Sequence, residues 1–247
     1  MLEIKNLFVN VTDDNTEILH DINLNINSSE IHFLLGKNGS GKSSLAMSLV
    51  GSDKYKISSG SILLDEKNLL DMTVDERVHN GLFLSYQNPI AIDGLSFSVF
   101  LKYAVNSVRN GRGLTPLNAY KFFQLVEKYS DLLSIPSDWL KRDLNVGFSG
   151  GEKKKMEMLQ LLLLEPKYAI LDEPDSGVDV DAVKSIISAV NFCKAEFKTS
   201  FLIISHYDKL LNLDLDYVHV LSNGKMIKTG GVEIARQVQE SGFESFS

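Results

Sequence analysis

Residues 36–43 read GKNGSGKS, between the apolar run Ile31–Leu35 and a stretch, Ser44–Val50, with the residues of a helix. A buried strand that breaks into a glycine-rich turn and continues as a helix is the setting of a phosphate-binding loop. Gly36, Gly39 and Gly41 let the backbone turn so closely that successive N–H groups converge on phosphate oxygens at the positive end of the helix. Lys42 is placed to reach the β- and γ-phosphates, and the Ser43 hydroxyl is the oxygen ligand that Mg²⁺ takes in such loops. The whole turn, Gly36, Lys37, Asn38, Gly39, Ser40, Gly41, Lys42, Ser43 and Ser44, is therefore expected to cradle the phosphates of a nucleotide with Mg²⁺ as its cofactor.

The flanking sequence supplies a frame for that loop. Leu2–Val9 and Ile18–Ile26 alternate apolar and polar residues, as antiparallel strands with one buried face do. Ser61–Leu64 and Gly81–Tyr86 read as further strands, with a short helix over Thr73–Asn80 between them, where Thr73 and Glu76 have capping-box spacing. From Leu95 to about Val146 the periodicity turns helical, in Phe97–Val108 and Leu117–Leu133, with breakers at Gly111, Gly113, Pro116 and Pro136. A helix (Glu152–Leu164), an apolar strand (Tyr168–Leu171), a helix (Asp181–Lys194), another apolar strand (Phe201–Ile204) and a hairpin turning at Asn223-Gly224 follow. Strands alternating with helices imply an α/β fold with a parallel sheet core. The expected layout is one domain over 1–247: a nucleotide-binding core from 1–94 and 148–247, an antiparallel β-lobe, and a helical subdomain over 95–147.

Composition narrows the partners. The chain has 247 residues, 44% of them hydrophobic, which suffices for a large core, and a formal net charge of −7. An acidic surface argues against nucleic acid and anionic lipid. No apolar run approaches the roughly 18 residues of a membrane span, and the opening MLEIKNLFVN does not read as a leader. Direct membrane insertion is not expected. The one cysteine, Cys193, excludes an intrachain disulfide and reads as a small buried thiol on a helix. These features suit a reducing compartment, the cytoplasm or an organelle stroma.

Two more stretches carry chemistry. FSGGE, 148–152, precedes a helix, so Ser149, Gly150 and Gly151 present a hydroxyl and N–H groups at a positive helix end. YAILDEP, 168–174, ends an apolar strand in two acids: Asp172 is placed to bind Mg²⁺, and Glu173 to polarise an attacking water. The run Lys153–Lys155 reads as a solvated helix face.

The order of P-loop, Gln87, SGG, apolar-Asp-Glu, SGVD (Ser176–Asp179) and His206 resembles that of the ATP-binding-cassette ATPases over essentially the whole chain. That resemblance implies that two cassettes meet head to tail, the P-loop of one and the SGG motif of the other enclosing each ATP. It implies that Gln87 senses the γ-phosphate and Mg²⁺, that His206 contacts the γ-phosphate, and that Asp179 lies in a loop crossing the dimer interface. With Lys42 and Glu173, Gln87 and His206 make up the expected catalytic set; Ser43, Gln87 and Asp172 are the expected metal ligands. The runs FSGGEKKKMEMLQ, LDEPDSGVDVDAV and DYVHVLSNGKMIKTG, with Glu152 in place of the usual glutamine, Tyr207 after the histidine and His32 before the P-loop, are similar to the SufC family. This implies SufB- and SufD-type scaffold partners, homodimeric contact on ATP binding and a role in iron–sulfur cluster assembly. A membrane transporter subunit is the alternative that shares every nucleotide motif. Val11 stands where many cassettes stack adenine on an aromatic ring, so base recognition is expected to be loose.

Overall fold

Alternation in β1 (Leu2–Val11) and β2 (Glu17–Ile26) places Leu2, Ile4, Ile22, Leu24 and Ile26 on one buried face, in the antiparallel register Leu2↔Ile26 and Ile4↔Leu24. The computed structural model describes every residue except Asn88, residues 206–209, Leu211 and Ser247, and the side chains of Glu244 and Ser245. Next come β3 (Ile31–Leu35), α1 (Lys42–Val50), β4 (Tyr55–Leu64), β5 (Lys67–Asn68), α2 (Val74–His79), β6 (Leu82–Ser85) and β7 (Ile92–Ser96). Two helices of the expected lobe, α3 (Phe97–Gly111) and α4 (Ala119–Leu133), lead through β8 (Asp143–Leu144) to α5 (Gly150–Leu164) and β9 (Tyr168–Asp172). The chain closes with α6 (Val180–Phe192), β10 (Ser200–Ile204), β11 (Tyr217–Ser222), β12 (Lys225–Gly230) and α7 (Val232–Ser241).

Among the described residues the main sheet has the order β12-β11-β3-β10-β9-β6, parallel except for the β11–β12 hairpin. Its central strands β3, β9 and β10 are buried at every residue, as a sheet covered on both faces requires. A second, antiparallel sheet, β2-β1-β4-β5, covers one face. The expected α/β fold, parallel core with an antiparallel lobe, is the fold found. Phe33 and Phe201 share one core with Phe97 of α3 and Phe122 of α4, all four fully buried, each ring contributing about 2–3 kcal/mol.

Several elements differ from expectation. Strand β4 starts at Tyr55 rather than Ser61: polar Ser58-Ser59-Gly60 conceals it, and Gly60, at φ 95, passes so close to Asn6 that a Cβ would stand 2.3 Å from the Asn6 carbonyl oxygen. The β7–β8 pair exists only through a partner some fifty positions away, with Gly94 N donating to Asp143 Oδ2 at 2.8 Å. Helix α7 was not expected, although Ile234, Ala235 and Val238 give it a buried stripe. Helix α6 ends at Phe192 and widens into a π turn over Cys193–Phe197, burying Cys193 completely; that burial pushes its thiol up, so it stays protonated.

Strands β3 and β11 also carry a buried imidazole pair. His32 Nδ1 lies 3.0 Å from His219 Nε2, His32 Nε2 2.9 Å from Glu30 Oε2, and His219 Nδ1 2.9 Å from Thr229 Oγ1. Two neutral rings satisfy this chain in one direction, with Thr229 donating to His219, His219 to His32 and His32 to Glu30.

Candidate active site

At the carboxyl end of β3 the chain makes the expected turn. Gly41 caps α1 at φ 105, and a Cβ there would meet Leu19 Cδ2 at 2.7 Å. At Gly36 a Cβ would meet the Leu221 carbonyl oxygen at 2.4 Å, so strand β11 leaves no room for a side chain. Lys42 is buried and folds back over the turn, donating to the Gly36 carbonyl at 2.7 Å and the Lys37 carbonyl at 3.1 Å. Burial pulls its pKa down, while Glu173 and Asp172 hold it up. An ammonium has three donors, and two of them are used by the loop.

The turn opens on a cavity of about 440 Å³ lined by Asn38, Gly39, Lys42, Ser43, Ser44 and, from other elements, Ile18, Gln87, Glu173 and Ser176. Glu173 reaches it because the chain leaves β9 in a left-handed conformation, φ 47, held by Glu173 N donating to the Ile204 carbonyl at 2.8 Å. Such a conformation in a non-glycine residue costs of order 1–3 kcal/mol and persists where the surroundings impose it. Gln87 Nε2 donates to Glu173 Oε2 at 2.6 Å. Asp172 is buried; burial pushes its carboxyl up, partly offset by the hydrogen bond from the Ser43 hydroxyl, while the neighbouring Glu173 raises it further.

Asp172 Oδ1 and the Ser40 hydroxyl oxygen are buried without a hydrogen-bond partner among the described residues. The orphaned oxygen of Asp172, on a carboxyl that accepts from the Ser43 hydroxyl, makes with Ser43 a hard-oxygen donor set, and it fits Mg²⁺, which takes one or two protein oxygens and otherwise phosphate and water. Gln87, Ser43 and Glu173 are thus brought together with the P-loop, with Asp172 bonded to Ser43. His206, and Tyr207 after it, lie outside the described residues.

The SGG motif stands elsewhere. Ser149 caps α5, accepting from Glu152 N at 3.2 Å while Ser149 N donates to Glu152 Oε2 at 2.7 Å, and Arg142 lies 3.7 Å from the same carboxylate. Gly151 abuts Asp179, where a Cβ would lie 3.2 Å from Oδ2. Among the described residues lining the P-loop cavity there is none from Ser149, Gly150 or Gly151.

The lysine run departs from its expected solvated face. Lys154 is 4% exposed and Glu157 5%, and the two are paired at 2.8 Å. A carboxylate inside the apolar run Met156–Leu164 was the available signal for this. Ile18 had no local signal, since β2 reaches the P-loop only by folding over it.

Residues 19–176 match the family model described as ABC transporter. A relative from Cyanophora paradoxa, named probable ATP-dependent transporter ycf16, is 44% identical over 99% of this chain and 93% of its own. The probable ATP-dependent transporter SufC of Escherichia coli (strain K12) is 41% identical over 98% of this chain and 97% of its own. A dimeric bacterial ABC transporter cassette of solved structure superposes with a TM-score of 0.79 at 17% identity, over 94% of this chain and 99% of that one, a likeness of fold alone. No helix among the described residues is long and apolar enough to cross a membrane. With the P-loop, the strand-end acids and identity above 40% along nearly its whole length, the chain belongs to the ATP-binding-cassette ATPases, in their SufC group, and is an ATP hydrolase.

Proposed function

We propose that this chain is the ATPase subunit of a SUF-type iron–sulfur cluster assembly complex, in which two copies hydrolyse ATP between them and their closure deforms a SufB/SufD-type scaffold. The observation that carries the chemistry is the convergence of Lys42, Ser43, Gln87 and Glu173 on one cavity, with Asp172 bonded to Ser43 beside it. The P-loop amides and the third donor of Lys42 take the phosphate oxygens, and Glu173 orients water for in-line attack. Bound at Ser43 and Asp172 with Gln87 beside them, Mg²⁺ would neutralise charge on the β- and γ-phosphates. His206 is assigned to the γ-phosphate on resemblance alone.

The need for a second copy is supported by the position of Ser149, Gly150 and Gly151, whose helix start is absent from the lining of the chain's own P-loop cavity. A partner protomer is the source of an SGG motif for that ATP. The scaffold reading is supported by the near-full-length likeness to a protein named SufC and by an apolar groove next to Gln87, lined by Val74, Val78, Phe83, Tyr86 and Leu164, where Val74 is 52% and Tyr86 49% exposed. The cluster itself belongs on the scaffold, since Cys193 is the chain's only cysteine and is buried.

The test is purification of the chain with its endogenous partners, an iron and sulfide assay on those partners, and ATPase activity against protein concentration. The expected result is a soluble partner that carries iron and sulfide and raises turnover most at low protein concentration, by holding two protomers together. Recovery of a membrane protein without iron would instead assign the chain to a transporter.

A further inference from the structure

The buried ion pair of α5 touches the segment that carries Gln87. Lys154 Nζ donates to the Tyr86 carbonyl oxygen at 2.7 Å and to Glu157 Oε2 at 2.8 Å. Glu157 in turn accepts from the Ser85 hydroxyl at 3.1 Å and from the Tyr86 backbone N–H. Both polar groups of the Tyr86 peptide are therefore held by side chains of one helix, although the Tyr86 ring itself is exposed. The next residue is Gln87, in contact with Glu173 at 2.6 Å. Lys154 also sits about 8 Å and Glu157 about 12 Å along α5 from its Ser149 cap, at about 1.5 Å of rise per residue.

Two buried charges are retained only where each is fully hydrogen-bonded, and a hydrophobic pair of similar volume would often serve stability as well. Here the charges do something a hydrophobic pair cannot: they grip a peptide group on a different element. We propose that Lys154 and Glu157 are positioning residues for Gln87, a clamp that makes the sensing segment of the chain's own ATP site move with the helix whose SGG end serves the ATP of the partner copy. The inference rests on the reading of Gln87 as the sensor of the γ-phosphate. Engagement of the SGG end shifts α5, the clamp carries that shift to the Tyr86 peptide, and Gln87 and Glu173 are reset together.

The first test uses the unmodified protein. The Tyr86 amide should exchange with deuterium at least about tenfold more slowly than exposed loop amides; exchange as fast as theirs overturns the clamp. The second test is the double variant Lys154→Met/Glu157→Leu, which removes both charges without leaving either unpaired. KM for ATP should stay within about threefold while kcat falls by about tenfold or more, since position rather than binding is lost. Exchange at Tyr86 should rise in the same variant. Lys154→Arg, which keeps the charge and the donors, should hold kcat within about threefold of the unmodified protein. A double variant with unaltered kcat and Tyr86 exchange overturns the proposal. Gln87→Ala separates the two readings: loss of kcat there with normal kcat in the double variant removes the clamp alone, whereas normal kcat in Gln87→Ala removes the sensor role on which it rests.

Discussion

Gln87 Nε2 lies 2.6 Å from Glu173 Oε2, so the segment after β6 and the turn after β9 meet through this hydrogen bond on the P-loop cavity. Glu173→Gln keeps the shape of that contact, because its amide oxygen still accepts, but removes the carboxylate. Hydrolysis should slow by about 10² or more with ATP affinity unchanged, read by single-turnover assay and by nucleotide titration. Turnover at the normal rate would take Glu173 out of the chemistry.

Base selectivity should be slight. Val11 pairs with Tyr55 at the end of β1, and the cavity rim is formed by Ile18; no aromatic ring is among its described lining residues. Calorimetry should give ATP and GTP affinities within about tenfold, or ~1.4 kcal/mol. A larger preference would mean that another side chain reads the base.

Burial, with His32 beside it, pushes His219 down to about 3; burial also lowers His32, against the pull of Glu30 and Asp216. Both rings are neutral in the fold, whereas the unfolded chain protonates them near about pH 6.5. Their contribution is complete above that pH and is lost as pH falls from there towards 3, at up to about 1.4 kcal/mol per pH unit for His219. Denaturant melts between pH 7.5 and 5 should show this slope and His219→Asn should flatten it; the same slope in the variant would exclude the pair as its source.

Arg77, buried on α2, donates from Nη1 to the Leu49 carbonyl at 2.8 Å and the Ser48 carbonyl at 3.2 Å, tying down the C-terminus of α1. Gly51 ends that helix at φ 82, and a Cβ there would stand 2.8 Å from the Arg77 guanidinium carbon. Arg77→Ala should cost about 2–3 kcal/mol in urea unfolding, the worth of charged hydrogen bonds to buried carbonyls. A cost below about 0.5 kcal/mol, the range of plain surface changes, would show the tie to be idle.

Much of the molecule follows from local sequence. Apolar runs such as Ile31–Leu35 and Phe201–Ile204 can only be buried strands, Thr73 with Glu76 and Ser149 with Glu152 close their capping boxes as their spacing demands, and the glycines of 36–41 permit one turn. Those features rest on interactions within a few residues, where residue type and spacing are the whole of the physics. Contacts between distant segments are another matter. The meeting of Gln87 with Glu173, the arrival of Ile18 at the cavity, the pairing of β7 with β8 and the burial of Lys154 against Tyr86 each join elements far apart in the chain. A lysine run on a helix looks the same in sequence whether it faces water or a neighbouring strand, because burial is a property of what packs against it. Tertiary structure alone decides which charge is desolvated and which partner must then be found for it.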